Sequence, residues 1–203
     1  MLEELGLPYL IYPIDISKGE QKTPEFLAMN PNHKIPVLVD ENAAGGKLTL
    51  FESGAILIYL ADLHGKFLSK ETQQRFVELE WLMFQMASIG PMFGQANHFI
   101  KYAPEKVPYA EKRYVDESKR LLGVMETRLG QATYLGGTEY SIADIATWPW
   151  IKTGITTGFG TLDEFPNVKR WFDAIEQRPS TQKALKKIDT AIESAEVCVP
   201  SDK

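Results

Sequence analysis

The sequence holds a single cysteine, Cys198, among 203 residues. No disulfide can therefore form within the chain, and a staple-dependent secreted scaffold is excluded. Histidine is almost as scarce: His33, His64 and His98 are scattered. With one cysteine they give no metal-ligand spacing, so no metal site is expected. No apolar run approaches the roughly 18–20 residues that span a bilayer, so no membrane span is expected. A basic excess is also missing. Lys plus Arg is 22 against 27 for Asp plus Glu, a net charge of −5, which excludes a general nucleic-acid binder. The first residues lack the basic and apolar regions of a signal peptide, and the cytoplasm is the expected compartment.

What is present is an ordinary apolar inventory. Hydrophobic residues make up 44% of the chain, enough at this length to close a core without disulfides or metals. Charge is divided unevenly. Residues 1–65 carry Lys18, Lys22, Lys34 and Lys47 against nine acidic residues, while the remainder is balanced. Pattern changes at the same place, so two units are expected, 1–65 and 72–188.

The first unit mixes strand and helix signals. Residues 9–14 read as a strand that Pro13 confines to a sheet edge. Residues 23–27 read as a short helix. Residues 37–40 and 48–51 read as two strands of a hairpin whose connection contains Gly45 and Gly46. A helix then runs over 53–64, with Ser53 as N-cap and Gly65 as its C′ residue. Met1, Leu2 and Leu5 with Glu3 and Glu4 read as the closing turns of an amphipathic helix stopped by Gly6 and Pro8. A start in such a place suggests that a segment lies upstream.

The second unit reads as all helix. Residues 72–96 are apolar and aromatic, with a bend or break required at Gly90-Pro91. Residues 108–131 are amphipathic from Pro108. Ser141 and Asp144 have the spacing of a capping box in its Asp form, and open an apolar helix. Pro166 starts another helix, and the tail from about Glu193 reads as polar and loose. The Trp and Phe stripes have the spacing of core rather than of a cofactor box.

Several segments fit together in order: Gly19-Glu-Gln21-Lys-Thr-Pro-Glu-Phe26, Asn32-His-Lys-Ile-Pro36-Val-Leu-Val, Phe51-Glu-Ser53-Gly-Ala-Ile-Leu, Gly90-Pro-Met-Phe-Gly-Gln95, Tyr109-Ala-Glu-Lys-Arg113-Tyr and Tyr140-Ser-Ile-Ala-Asp144. The set resembles the glutathione transferase superfamily, and within it the bacterial nu class and the related yeast prion-forming nitrogen regulator. The resemblance covers nearly the whole chain. It implies an α/β thioredoxin-like N-terminal domain over 1–65 and an all-α C-terminal domain over 72–188. It also implies that the first strand and half of the first helix are absent upstream of Met1. The residue that activates the glutathione sulfur, a Thr-x-Asn element in nu-like members, would lie in that segment, so no catalytic residue is assigned. The absent strand would lie between residues 9–14 and the hairpin, which predicts that 9–14 is frayed or displaced.

The resemblance further implies a substrate-binding set. Ser53 at a helix start would take a glutathione carboxylate, and Glu52 beside it would pair the α-ammonium. Ile35, before a cis proline, would bond the cysteinyl backbone in the manner of an added strand. Gln21 and Lys34 would hold the glycyl end. Arg113 would reach in from the partner subunit of a homodimer. Taken singly, Ser53 is accounted for as a helix cap, Glu52 as a solvated charge and Arg113 as a surface partner of Glu111. Cys198 in the tail reads as a free thiol.

The implied activity is glutathione-dependent thiol chemistry, with glutathione as cosubstrate: reduction of disulfide bonds, or conjugation to electrophiles. The alternatives are a glutathione-binding regulator and a structural dimerisation module without catalysis.

Overall fold

The computed structural model describes residues 1–159 and 162–197, with no account of side chains from 194 onward. Cys198 lies outside the described residues. The chain forms two compact units. Met1–Leu60 and the residues from Gln177 onward make the first, and Ala61–Glu176 makes the second.

The first unit contains α1 (Leu2–Leu5), α2 (Pro24–Met29), β1 (Val37–Asp40), β2 (Leu48–Phe51), the start of α3 (Ser53–His64) and α9 (Pro179–Val197). β1 and β2 pair antiparallel with Val37 opposite Phe51 and Asp40 opposite Leu48, as the alternation and the Gly45-Gly46 turn require. Both glycines have positive φ, and Gly46 N–H closes the turn on the Ala43 carbonyl. A lone two-stranded hairpin is marginal in water, and here helices brace it. α2 packs on β2, and Tyr59 on α3 donates to Asp40 at 2.7 Å. Phe26, Ile56, Leu57 and Leu60 are the buried apolar side chains.

Residues 9–14 form no strand. Their backbone makes no hydrogen bond to another described backbone group. Alternation survives: Tyr9 and Ile11 are half-buried, while Leu10 and Tyr12 are each 78% exposed. The segment therefore has the two faces of a strand and no ladder partner, in line with the displacement predicted for it. Its anchor is the α1–α9 contact. Glu3 accepts from Tyr9 at 2.8 Å, and pairs with Lys183 at 2.6 Å and Lys187 at 2.8 Å. Lys187 also sits 4.1 Å from the centre of the Tyr9 ring. Arg178 clasps both oxygens of Glu4, at 2.7 and 2.8 Å. Of the loose tail expected from about Glu193, residues 193–197 form the last turn of α9, and the remainder lies outside the described residues.

The second unit contains α4 (Thr72–Phe84), α5 (Gly90–Asn97), α6 (Pro108–Leu129), α7 (Ile142–Thr157) and α8 (Pro166–Glu176). Proline stands within the first turn of α5 and α6, where its missing N–H costs nothing. Gly90-Pro91 does not break the helix. A wide π turn, Gln85–Ile89, joins α4 to α5, and a second, His98–Tyr102, follows α5. Gly90 allows the close passage: a Cβ there would stand 2.9 Å from Gln85 Nε2 and 3.4 Å from Trp150. α5 packs on α6 and α7, and α8 on α6 and α7. Leu82, Ile89, Phe93, Leu121, Met125, Ile142, Ile151, Val168 and Trp171 are almost fully buried.

Asp144 organises the start of α7. Its carboxylate accepts from the Leu135 N–H at 2.9 Å, the Ser141 N–H at 3.0 Å and the Trp171 indole at 2.8 Å. Ser141 accepts in return from Ala143 N–H, completing the capping box. Burial pushes the Asp144 carboxyl up, against the pull of these donors. No helix among the described residues is long and apolar enough to cross a membrane.

Candidate functional site

The hairpin register creates the site. Val37 faces Phe51, so the residues just before β1 and just after β2 emerge at the same end of the ladder. Those residues are Lys34, Ile35 and Pro36 on one side and Glu52 and Ser53 on the other. The Ile35-Pro36 bond is cis. Ile35 is 52% exposed, and Lys34, Pro36 and Glu52 are exposed as well.

Glu52 occupies the left-handed region at φ 69, a conformation uncommon for a residue with a side chain and frequent at functional sites. Its carbonyl accepts the first helical bond of α3 from Ile56 N–H at 3.0 Å. Glu52 is thus the N-cap, and Ser53, expected in that role, is the first helical residue. The correction strengthens the site. An N1 serine places its hydroxyl and N–H at the positive end of a helix that ends twelve residues on in a left-handed Gly65.

The loop that delivers Ile35 is built by a residue the sequence reading did not single out. Asn30 is 1% exposed. Its Nδ2 donates to the Lys34 carbonyl at 2.6 Å and its Oδ1 accepts from the Asn32 N–H at 2.8 Å. Its main chain joins too: Asn30 N–H donates to Phe26 and its carbonyl accepts from His33 N–H. His33 itself turns through φ 56. The signal was available in Asn30-Pro31-Asn32, since an Asn ahead of a proline at a helix end favours a side-chain-closed turn.

Gln21 and Arg113 are placed elsewhere. Gln21 lies on a 3-10 turn, Glu20–Lys22, ahead of α2, with its amide nitrogen turned back to the Ile16 carbonyl at 3.4 Å. Its Oε1 is buried without a partner among the described residues. Arg113 belongs to the second unit, exposed on α6. Its charge acts on Glu117, whose carboxyl is held low first by Arg120. Arg113 makes no ion pair with Glu111, which instead meets Lys106 at 3.4 Å. The described residues contain no cluster of His, Cys, Asp and Glu suited to a metal.

As chemistry, one end of the hairpin gathers an exposed carboxylate, a serine at a helix start, a lysine and an exposed backbone beside a cis proline. That combination can grip a small zwitterionic peptide, one group for each charge and main-chain bonds between. Comparison with known proteins agrees. The family model for the N-terminal domain of glutathione S-transferase matches residues 1–62, and that for the C-terminal domain matches residues 84–179. The disulfide-bond oxidoreductase YfcG of Escherichia coli is 48% identical over 188 residues, covering 92% of this chain and 87% of that protein. A glutathione transferase of Burkholderia graminis, solved with two glutathione molecules bound per subunit, superposes with a TM-score of 0.86 at 46% identity, covering 91% of this chain and 80% of that one. The glutathione transferase URE2P6 of Phanerochaete chrysosporium, solved with oxidized glutathione, gives a TM-score of 0.87 at 37% identity, with 94% and 89% coverage. The first unit is the thioredoxin-like half, the second the all-helical half, and the chain belongs to the glutathione transferase superfamily, on its nu-class and Ure2p-like side.

Proposed function

We propose that the chain is an enzyme of glutathione-dependent thiol chemistry, a disulfide-bond reductase or a conjugating transferase, with glutathione as cosubstrate. The observation that carries this is the ladder end, where Ile35-Pro36 and Glu52-Ser53 emerge together. Ser53 and the first N–H groups of α3 receive the γ-glutamyl carboxylate. Glu52 pairs the ammonium beside it. The Ile35 backbone bonds the cysteinyl unit as an added strand would. Lys34 and Gln21 serve the glycyl carboxylate, and Arg113 is supplied by the partner subunit of a cytoplasmic homodimer.

A bound thiol must ionise from a pKa of about 8.5. As a thiolate it attacks one sulfur of a disulfide, forming a mixed disulfide and expelling the other sulfur as a thiolate. A second glutathione thiolate then resolves the mixed disulfide, yielding glutathione disulfide and the second reduced thiol. The residues assigned here bind and orient; none is assigned to the sulfur.

Titration calorimetry with reduced glutathione tests the reading. Binding by the wild-type chain, weakened about 10–150-fold in Ser53→Ala, is expected from loss of one hydrogen bond to a charged group. Absence of binding by a folded sample would overturn it. Rates with a model disulfide and with a small aromatic chloride separate reduction from conjugation.

A further inference from the structure

The trans peptide plane between Lys34 and Ile35 has a direction, and Asn30 sets it. In a trans peptide the carbonyl and the N–H point opposite ways. The Lys34 carbonyl is drawn inward by the amide of Asn30 at 2.6 Å, a side chain that is 1% exposed. The Ile35 N–H on the same plane must then point away from the interior. It has no hydrogen-bond partner among the described residues, and Pro36 after it has no N–H to compete. The amide cannot be turned over without loss, because the Asn32 N–H can only donate and the Lys34 carbonyl can only accept.

We propose that Asn30 is a positioning residue for glutathione: it aims the Ile35 N–H at the cysteinyl carbonyl of the bound peptide. This rests on the glutathione reading above and goes one layer beneath it. Asn30 never touches the ligand. It fixes a donor that otherwise would swing with the loop, and so reduces the ordering cost of binding.

Asn30→Asp tests the idea, because only one of the two side-chain bonds changes. As a carboxylate, Asp keeps the bond from Asn32 N–H and sets a negative oxygen against the Lys34 carbonyl. As a carboxylic acid, it regains an O–H donor to that carbonyl. Burial raises the pKa of such a group, so the switch lies above the ordinary carboxyl range. Glutathione affinity of folded Asn30→Asp, measured against wild type at each pH, should be down about tenfold or more at pH 8. That deficit should shrink several-fold by pH 5. His33 and Lys34 are the ionisable neighbours on the same loop, so the comparison is repeated in a His33→Gln background, where no imidazole stands beside position 30.

A tenfold deficit that stays constant with pH would mean a purely structural role and would overturn the proposal, as would wild-type affinity in the variant. Should Asn30→Asp not fold, Asn30→Ser replaces it, since a hydroxyl on the shorter stem cannot bridge both partners. The expected result is the same tenfold loss, and unchanged affinity overturns the proposal. If wild type itself does not bind glutathione, the functional reading falls first. The ordering of the loop by Asn30 is then read without ligand from amide exchange of residues 32–35, which quickens at least tenfold in a folded Asn30 variant if it holds and stays at the wild-type rate if it does not.

Discussion

Glu3 is the residue whose ionisation most directly holds an element in place. Lys183, Lys187 and Tyr9 converge on it and hold its carboxyl at about 2, against 4.5 ordinarily. Because the folded value is the lower one, its contribution is present above pH 4.5 and is lost as pH falls toward 2. The thermal midpoint of the wild-type chain should therefore drop over that interval, and Glu3→Gln should flatten the drop while lowering stability at pH 7. Tyr9, pushed up to about 12 by burial first and by Glu3 next, keeps its proton until strongly alkaline pH. Asp144 gives the second residue-scale prediction. Asp144→Ala leaves the Leu135 and Ser141 N–H groups and the Trp171 indole without their acceptor. A loss of about 3 kcal/mol or more in urea unfolding is expected. Ser141 and Asp144 were legible in the sequence because a capping box is a local pattern. Asn30 left a fainter trace: Asn30-Pro31 signals a turn, but the two bonds its amide makes to Asn32 and Lys34 are set only when that turn closes.

Among elements, α5 and α7 pass closely. A Cβ on Gly154 would stand 2.8 Å from Phe93 Cε1 and 3.1 Å from Phe159, and Phe93 is 1% exposed with no room to retreat. Gly154→Ala should therefore cost about 1–3 kcal/mol in spite of alanine's better helix propensity, seen as a lower urea midpoint at unchanged slope. The hairpin, α2, α6 and the start of α8 were readable from alternation, helical period and proline placement. Two features were not. The conflict at Gly90-Pro91 was visible, but its resolution as a π turn depends on Gln85 and Trp150 accepting the close approach of Gly90. Residues 9–14 have strand composition, yet composition supplies no neighbour, and a ladder needs one. The first half of α9 contributes through Lys183 and Lys187, which reach back to Glu3.

At the scale of the molecule, the acidic excess belongs to one part of the sequence and the balanced charge to the rest. The change of pattern was read near residue 65, and the compact units divide between Leu60 and Ala61. Hidden from it was the return of the chain: from Gln177 onward the residues belong to the first unit. A chain ended at Glu176 should keep the packed helices of the second unit, while the first unit loses the partners of Glu3, Glu4 and Tyr9. Amide exchange read separately over 1–60 and 61–176 checks this, with acceleration of at least tenfold expected in the former alone.

The bond from Arg178 to Glu4 spans 174 positions, and it carries a consequence for synthesis. A ribosome delivers the first unit's opening elements early and its closing helix last. Ala61–Glu176 emerges ahead of that helix. The segment around α1 must wait, Glu3 and Glu4 without Lys183, Lys187 and Arg178, until α9 has cleared the exit tunnel.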